Sequence, residues 1–247
     1  MEVSDASRKR FENQGYLRLR GVFTPVEIEK ITRELTAVTA ECRIVATEVD
    51  FAMSSDYFLS RKSKAIASFV MNPRLGNIAA KLLRVPRVRL INDVLIGKER
   101  NQRATPWHRD SDFWSFRGAG ALTFWIPLQD TPLDMAPLRF AVGSHLVPNP
   151  RVWYPVVKTF VPLRFPIASP ALSIGDITVH HFKTLHGAVR NSHPSARRAL
   201  VIHLIDADAR FLVSRRRGHR AHARRVRWDT LRHGEALPQD LAPLLTL

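Results

Sequence analysis

Cysteine is almost missing: Cys42 stands alone among 247 residues. No disulfide can form within the chain, which fits a reducing compartment and gives a cytoplasmic expectation. Long apolar runs are missing too. No stretch approaches the ~18 apolar residues of a membrane span. The opening Met1-Glu2-Val3-Ser4-Asp5 lacks the apolar core of a secretory signal. No membrane partner is expected. Acidic residues are scarce beside basic ones, 22 Asp and Glu against 38 Lys and Arg, for a net charge of +16 and a pI of about 11.2. That excess bears on solubility and on attraction for anions, not on fold. Arginine is scattered along the whole chain, as compositional bias would place it. The densest run, residues 214–227, reads as a solvated or interacting tail. No helix-turn-helix, zinc-finger or RNA-recognition signature accompanies it, so no specific nucleic-acid partner is expected. A basic protein that binds nucleic acid or other anions stands as one alternative reading.

What is present points to a globular chain. Hydrophobic residues make up 45% and charged residues 24%. The length suits one barrel or sandwich with helical additions. A short helix should end at Gly15, followed by a strand over 17–20. Thr24, Pro25 and Glu27 form a capping box ahead of a helix whose apolar residues are Val26, Ile28, Ile31, Leu35 and Val38. Residues 62–84 read as two helices broken near Asn72-Pro73. Residues 44–61 have no periodicity and read as a loop. From Val85 the character becomes β-rich, with strands expected over 88–96, 121–128, 138–142, 171–174, 176–180 and 197–205. The fold class expected is mainly β with flanking helices, a jelly-roll (double-stranded β-helix, cupin-like) core. A single domain, 1–247, would have its core at about 86–206, a helical part at 1–85 and a basic extension at 207–247. The leucines after Trp228 should dock on the body or on a second copy, so the chain is a monomer or a homodimer.

Chemistry concentrates at Pro106-Trp107-His108-Arg109-Asp110. On a strand, His108 and Asp110 project from one face. His186 lies further on in Thr184-Leu185-His186-Gly187. Two imidazoles and one carboxylate make the facial triad of non-haem Fe(II) oxygenases, which leaves positions open for other ligands. A lone His-x-Asp is most often a solvated surface pair, so its weight comes from its surroundings.

Those surroundings resemble the phytanoyl-CoA dioxygenase family of Fe(II)/2-oxoglutarate oxygenases. The ordered set is Phe11 to Tyr16 with Leu17 to Val22, Pro106 to Trp114, Leu122 to Leu128, Leu138-Arg139-Phe140 with Gly143-Ser144-His145, Ile174-Gly175-Asp176, His186-Gly187, Asn191, and Arg197 to Leu200. The resemblance implies His108, Asp110 and His186 as iron ligands. It makes Arg197 the partner of the distal carboxylate of 2-oxoglutarate, and a planar guanidinium suits that task. Trp125 matches a tryptophan beside the co-substrate, and Asn92 is a further candidate contact. Ala188 departs from the small hydroxyl residue often found there, so one co-substrate hydrogen bond is missing or differently supplied. The implied reaction couples conversion of 2-oxoglutarate and O2 into succinate and carbon dioxide to oxidation of a small organic substrate. Hydroxylation is the default, and cyclisation, epimerisation or desaturation are open, as in natural-product tailoring. Asp110 argues against halogenation, whose enzymes lack that carboxylate. A jelly roll that only binds a ligand is the remaining alternative, and the intact triad with Arg197 argues against it.

Candidate substrate contacts are Met53 and Phe58 in a lid over 44–61, Arg109 between two ligands, and Phe113 and Trp114 just after them. His145 reads as a turn residue, and His180 and His181 as supporting or structural. His193, His219, His222 and His233 are expected to be exposed.

Overall fold

The computed structural model describes residues 3–39, 54–147 and 161–245. In chain order the elements are α1 (Asp5–Gln14), β1 (Tyr16–Leu19), α2 (Pro25–Thr39), β2 (Ser54–Tyr57), α3 (Lys64–Val70), α4 (Pro73–Leu83), β3 (Val88–Lys98), β4 (Thr105–His108), β5 (Phe116–Arg117), β6 (Ala121–Pro127), β7 (Arg139–Ala141), α5 (Val161–Arg164), β8 (Ile167–Ala168), β9 (Ile177–His181), β10 (His186–Ala188), β11 (Arg197–Asp206), β12 (Arg210–Phe211) and α6 (Arg217–Arg225). Local chemistry sets several boundaries. Gly15 ends α1 at φ 77°, with its N–H returning to Phe11 O. At the head of α2, Thr24 and Glu27 exchange bonds between backbone N–H and side chain at 2.7 and 3.2 Å. Asn72 caps α4, accepting from the Arg74 N–H at 2.9 Å, with Pro73 in the first turn.

Two antiparallel sheets face each other. The larger has the order β1-β9-β6-β11-β3-β2 and the smaller β4-β10-β7-β8. A two-stranded ribbon, β12-β5, lies beside them. One face of the large sheet, carrying Phe124, Val179 and Ile202, packs on the four N-terminal helices through Ile31, Leu35, Leu75 and Leu82. The opposite face turns toward the small sheet, and Trp125, Val94 and Val201 meet Leu138 and Phe140 there. This is the jelly roll expected, with the helices stacked on its outside.

Register places a row of side chains across the inner face. His180 pairs with Tyr16 and Thr123, Thr123 with His203, and His203 with Asn92. Because residues opposite one another share a face, five strands deliver these groups to one level.

Several expectations need correcting. Val26 is 70% exposed and is not on the packed face of α2. Residues 171–174 form no strand; Leu172 makes only an isolated bridge to Thr131. The 44–61 loop lies partly outside the described residues, Met53 included. Its later part is no loop: 54–57 is an edge strand on β3, and Leu59–Arg61 is a 3-10 turn. Ser60 ties this turn to Asp93, bonding its carboxylate through both N–H and hydroxyl. The basic run is not wholly solvated either. It contains α6, whose His222 and Ala223 are buried. The tail docks on its own body, where the Leu245 N–H reaches Val88 O at 3.0 Å and the Leu90 N–H reaches Pro243 O at 2.9 Å. No helix among the described residues is long and apolar enough to cross a membrane.

Candidate metal and co-substrate site

The three triad residues come from adjacent strand ends. His186 on β10 pairs directly with His108 on β4. The strand stops at His108, and Asp110 opens a 3-10 turn over 110–112. Arg109 keeps extended angles, φ −117° and ψ 141°. Its side chain therefore turns away, while those of His108 and Asp110 share a side. One ligand atom from each of His108, Asp110 and His186 lies within 4.8 Å of the others.

The sides of these groups that face away from the cluster are tied down. His108 Nδ1 donates to Pro106 O at 2.9 Å, and His186 Nδ1 donates to Thr184 O at 3.1 Å. A carbonyl can only accept, so each Nδ1 carries the proton and each Nε2 keeps a lone pair for a metal. Burial pushes His186 down to about 4, which keeps that lone pair available at neutral pH. Asp110 Oδ2 accepts from the Thr123 hydroxyl and from His180 Nε2, the latter at 3.2 Å. Its Oδ1 lies 3.7 Å from His186 Nε2 and faces the cluster. Burial alone would raise Asp110, but the imidazoles of His186 and His180 outweigh it and hold the carboxyl well below its usual range. Two neutral nitrogens and one anionic oxygen suit a divalent transition metal.

Arg197 sits at the start of β11 with none of its surface exposed. Its Nη1 donates to Ala136 O, while Nε and Nη2 have no partner. The guanidinium lies 5.2 Å over the Trp125 ring. Among the described residues no carboxylate pairs with it. Burial pushes its pKa down to about 10, so it remains a cation at neutral pH. An unpaired buried ion costs several kcal/mol, and an anion with two oxygens would relieve that cost.

The other candidates are distributed around this centre. Asn92 lies in the His203 row, its Oδ1 taken by His203 Nδ1. Phe113 is edge-on to His108, with centroids 6.2 Å apart. Trp114 is edge-on to His203 at 4.9 Å. Phe58 packs in the same apolar cluster as Trp114. Arg109 does not join the pocket wall: it is buried on the other side and donates to Ser144 O at 2.9 Å and Val147 O at 3.4 Å. Thr123 and His203 are not among the site residues expected from sequence, and His222 is not exposed as expected. His222 is buried, with Nε2 unpartnered and its ring 6.1 Å from Trp114. The sequence signal for His203 is its even spacing from Arg197, which puts the two on one face of β11; Thr123 and His222 had none in the sequence.

A jelly roll presenting two imidazoles, one carboxylate and an unpaired guanidinium defines a facial-triad oxygenase site. The chain belongs to the phytanoyl-CoA dioxygenase family, whose profile matches residues 11–199. No curated protein matches it significantly. Among solved structures, it is similar to the non-haem alpha-ketoglutarate-dependent carbocyclase SnoK from nogalamycin biosynthesis, with a TM-score of 0.84 and 24% identity over 98% of this chain and 96% of that one. The epimerase SnoN from the same biosynthesis gives 0.80 and 23% over 97% of each chain. EctD from S. alaskensis gives 0.69 and 20% over 83% of this chain and 78% of that one. At these identities the likeness establishes the fold.

Proposed function

We propose that His108, Asp110 and His186 hold Fe(II), and that Arg197 over Trp125 receives the distal carboxylate of 2-oxoglutarate in an oxygenase that oxidises a small organic molecule. The observation that carries this reading is Arg197: a buried cation with two unpartnered nitrogens and, among the described residues, no counter-ion, in the same jelly roll as the triad. When bound, iron and 2-oxoglutarate supply the oxidising power by reducing O2, with succinate and carbon dioxide as co-products. The protein's contribution is orientation and exclusion of water. Pro106 O and Thr184 O fix the tautomers of the two imidazoles, and Thr123 with His180 leaves only one Asp110 oxygen facing the metal. Phe113 and Trp114 supply an apolar wall beside His108 and His203, which favours a largely unsaturated or ring-containing substrate. The solved structures described as a carbocyclase and an epimerase of nogalamycin biosynthesis support a natural-product tailoring role. Where the substrate carbon rests relative to the triad decides between hydroxylation, cyclisation, epimerisation and desaturation. The chain acts as a single domain, and its lone cysteine suits the cytoplasm.

The test is anaerobic titration with Fe(II) and then 2-oxoglutarate, followed by succinate release on admitting O2 across a metabolite panel. His108→Ala, Asp110→Ala and His186→Ala should each stay folded and release no succinate above background. Wild-type succinate from any one of them would overturn the assignment.

A further inference from the structure

The C-terminal extension reaches the metal-bearing end of the jelly roll. Past His203 and Thr123, the next paired residues on the same inner face are Ile205 and Ala121. Both belong to an apolar cluster with Trp114, Ala223, Val226 and Trp228. Three contacts seat α6 there. Gly218 lies so close to Asp112 O that a Cβ would stand 2.9 Å away, and His219 Nε2 donates to Ser111 O at 3.2 Å. Ser111 and Asp112 belong to the 3-10 turn that Asp110 opens. At the other end of the helix, Arg225 lies 4.4 Å over the Tyr57 ring of β2. Residues three and four apart share a helix face, so His222 follows Gly218 and His219 on the side that meets the metal-bearing turn.

His222 is 8% exposed, and its Nε2 has no hydrogen-bond partner among the described residues. Trp228 stands edge-on to it with centroids 6.3 Å apart, and the buried indole Nε1 lacks a partner too. Trp114 links the pair to the metal side, its ring 6.1 Å from His222 and 4.9 Å from His203. His203 and His108 are half-buried, so solvent reaches that side. Burial, with the nearby His203 and Arg225 adding to it, pushes His222 down to about 3. The neutral imidazole offers one donor and one acceptor, and the indole one donor. Apolar side chains would fill this cluster without the cost of two desolvated, unbonded nitrogens. The same apolar surroundings disfavour a charged ligand and suit an uncharged oxygen. We propose that His222 and Trp228 are substrate-binding residues, which hold a hydroxyl or carbonyl oxygen of a neutral, ring-containing substrate whose apolar body lies against Trp114 on the triad side. This rests on the oxygenase reading above and deepens it. It places recognition of the substrate's polar end in the C-terminal extension, beyond residue 199, where the family match stops.

The test uses the full chain loaded anaerobically with Fe(II) and 2-oxoglutarate. Its probes are 2-naphthol and naphthalene, which lacks the oxygen, and equilibrium dialysis reads their binding. His222→Phe should weaken 2-naphthol roughly tenfold and leave naphthalene unchanged or tighter. His222→Gln restores a hydrogen-bonding group and should recover most of the loss. Trp228→Phe removes the indole N–H and should also weaken 2-naphthol alone. Each variant should form the Fe(II)–2-oxoglutarate chelate of the wild type, read from its visible absorption. Unchanged 2-naphthol affinity in both His222→Phe and Trp228→Phe would overturn the proposal. Equal loss of both probes, with His222→Gln no better, would overturn it as well, because that pattern belongs to residues that only pack the cluster. A wild type that forms the chelate but binds neither probe overturns it too. If the wild type forms no chelate with 2-oxoglutarate, the oxygenase reading itself falls.

Discussion

At the residue scale, the site depends on groups that never touch the metal. Asp110 Oδ2 is held by Thr123 and His180, so the carboxylate cannot swing both oxygens toward the cluster. Removing such a support commonly costs ~10–100-fold in metal affinity. Thr123→Val, nearly the same shape, should therefore weaken Fe(II) by about that factor without changing the thermal midpoint much; equilibrium dialysis against Fe(II) measures it, and wild-type affinity would remove Thr123 from the machinery. Arg197 and its neighbour make a matched control. Arg198 points to solvent while Arg197 is fully buried. Breaking one side of a buried charge pair costs ~3–5 kcal/mol, or roughly 10²–10³ in affinity. Arg197→Ala should raise the 2-oxoglutarate requirement by that factor with little effect on iron, and Arg198→Ala should do neither. The reverse result in a 2-oxoglutarate titration would put the wrong arginine in the site.

At the element scale, β10 is the short strand on which the geometry turns. It pairs with β4 on one side and β7 on the other and carries His186 between them. Gly187 makes the β4 approach possible, because a Cβ there would stand 2.7 Å from Thr105 O and 3.2 Å from Pro106 O. Both are backbone atoms and cannot swing aside. Gly187→Ala should push β10 off β4, costing ~1–3 kcal/mol of stability and separating His186 from His108, with Fe(II) affinity falling alongside the urea midpoint. Unchanged values for both would show that the strands yield without loss. Much at this scale was legible from sequence. The capping box of α2, the break at Asn72-Pro73 and the long β3, β6 and β11 follow from local patterns. Strand β2 was not legible, because Ser54-Ser55-Asp56 has little β propensity and is ordered as a strand only by pairing with β3. The triad itself was legible because His108 and Asp110 are local and family-like. Thr123, His180 and His203 reach it through sheet register, which no short window of sequence contains. His222 was misread because an arginine-rich run looks solvated. Only tertiary docking shows that Gly218 packs against Asp112 O and that His219 Nε2 donates to Ser111 O at 3.2 Å, turning His222 inward.

At the scale of the whole molecule, the basic excess of +16 is carried mostly by exposed arginines, whereas the histidines are drawn inside. That division makes the fold sensitive to acid. Burial lowers His203 to about 4 and His181 and His222 to about 3, with neighbouring cations adding to the effect at His181 and His222. The bonding agrees for His181, whose Nδ1 accepts the Lys183 N–H at 3.3 Å and so must be unprotonated there. In the unfolded chain these imidazoles titrate near 6.5. Between about 6.5 and about 4 the unfolded state therefore binds protons that the folded state refuses. Stability is complete above the unfolded value and falls as pH drops. The slope approaches ~1.4 kcal/mol per pH unit for each histidine, and three together across two units rival the whole ~5–15 kcal/mol of an ordinary domain. The metal-free protein should accordingly show a urea midpoint that is flat from pH 8 to 7, declines below about 6.5 and vanishes near pH 4 to 5. His222→Gln removes one proton acceptor from the unfolded state and should make the decline shallower by about that single-histidine slope, whatever it does to the midpoint at pH 7.5. Midpoints that hold steady from pH 7.5 to 5 in the wild type would mean that these imidazoles charge within the fold.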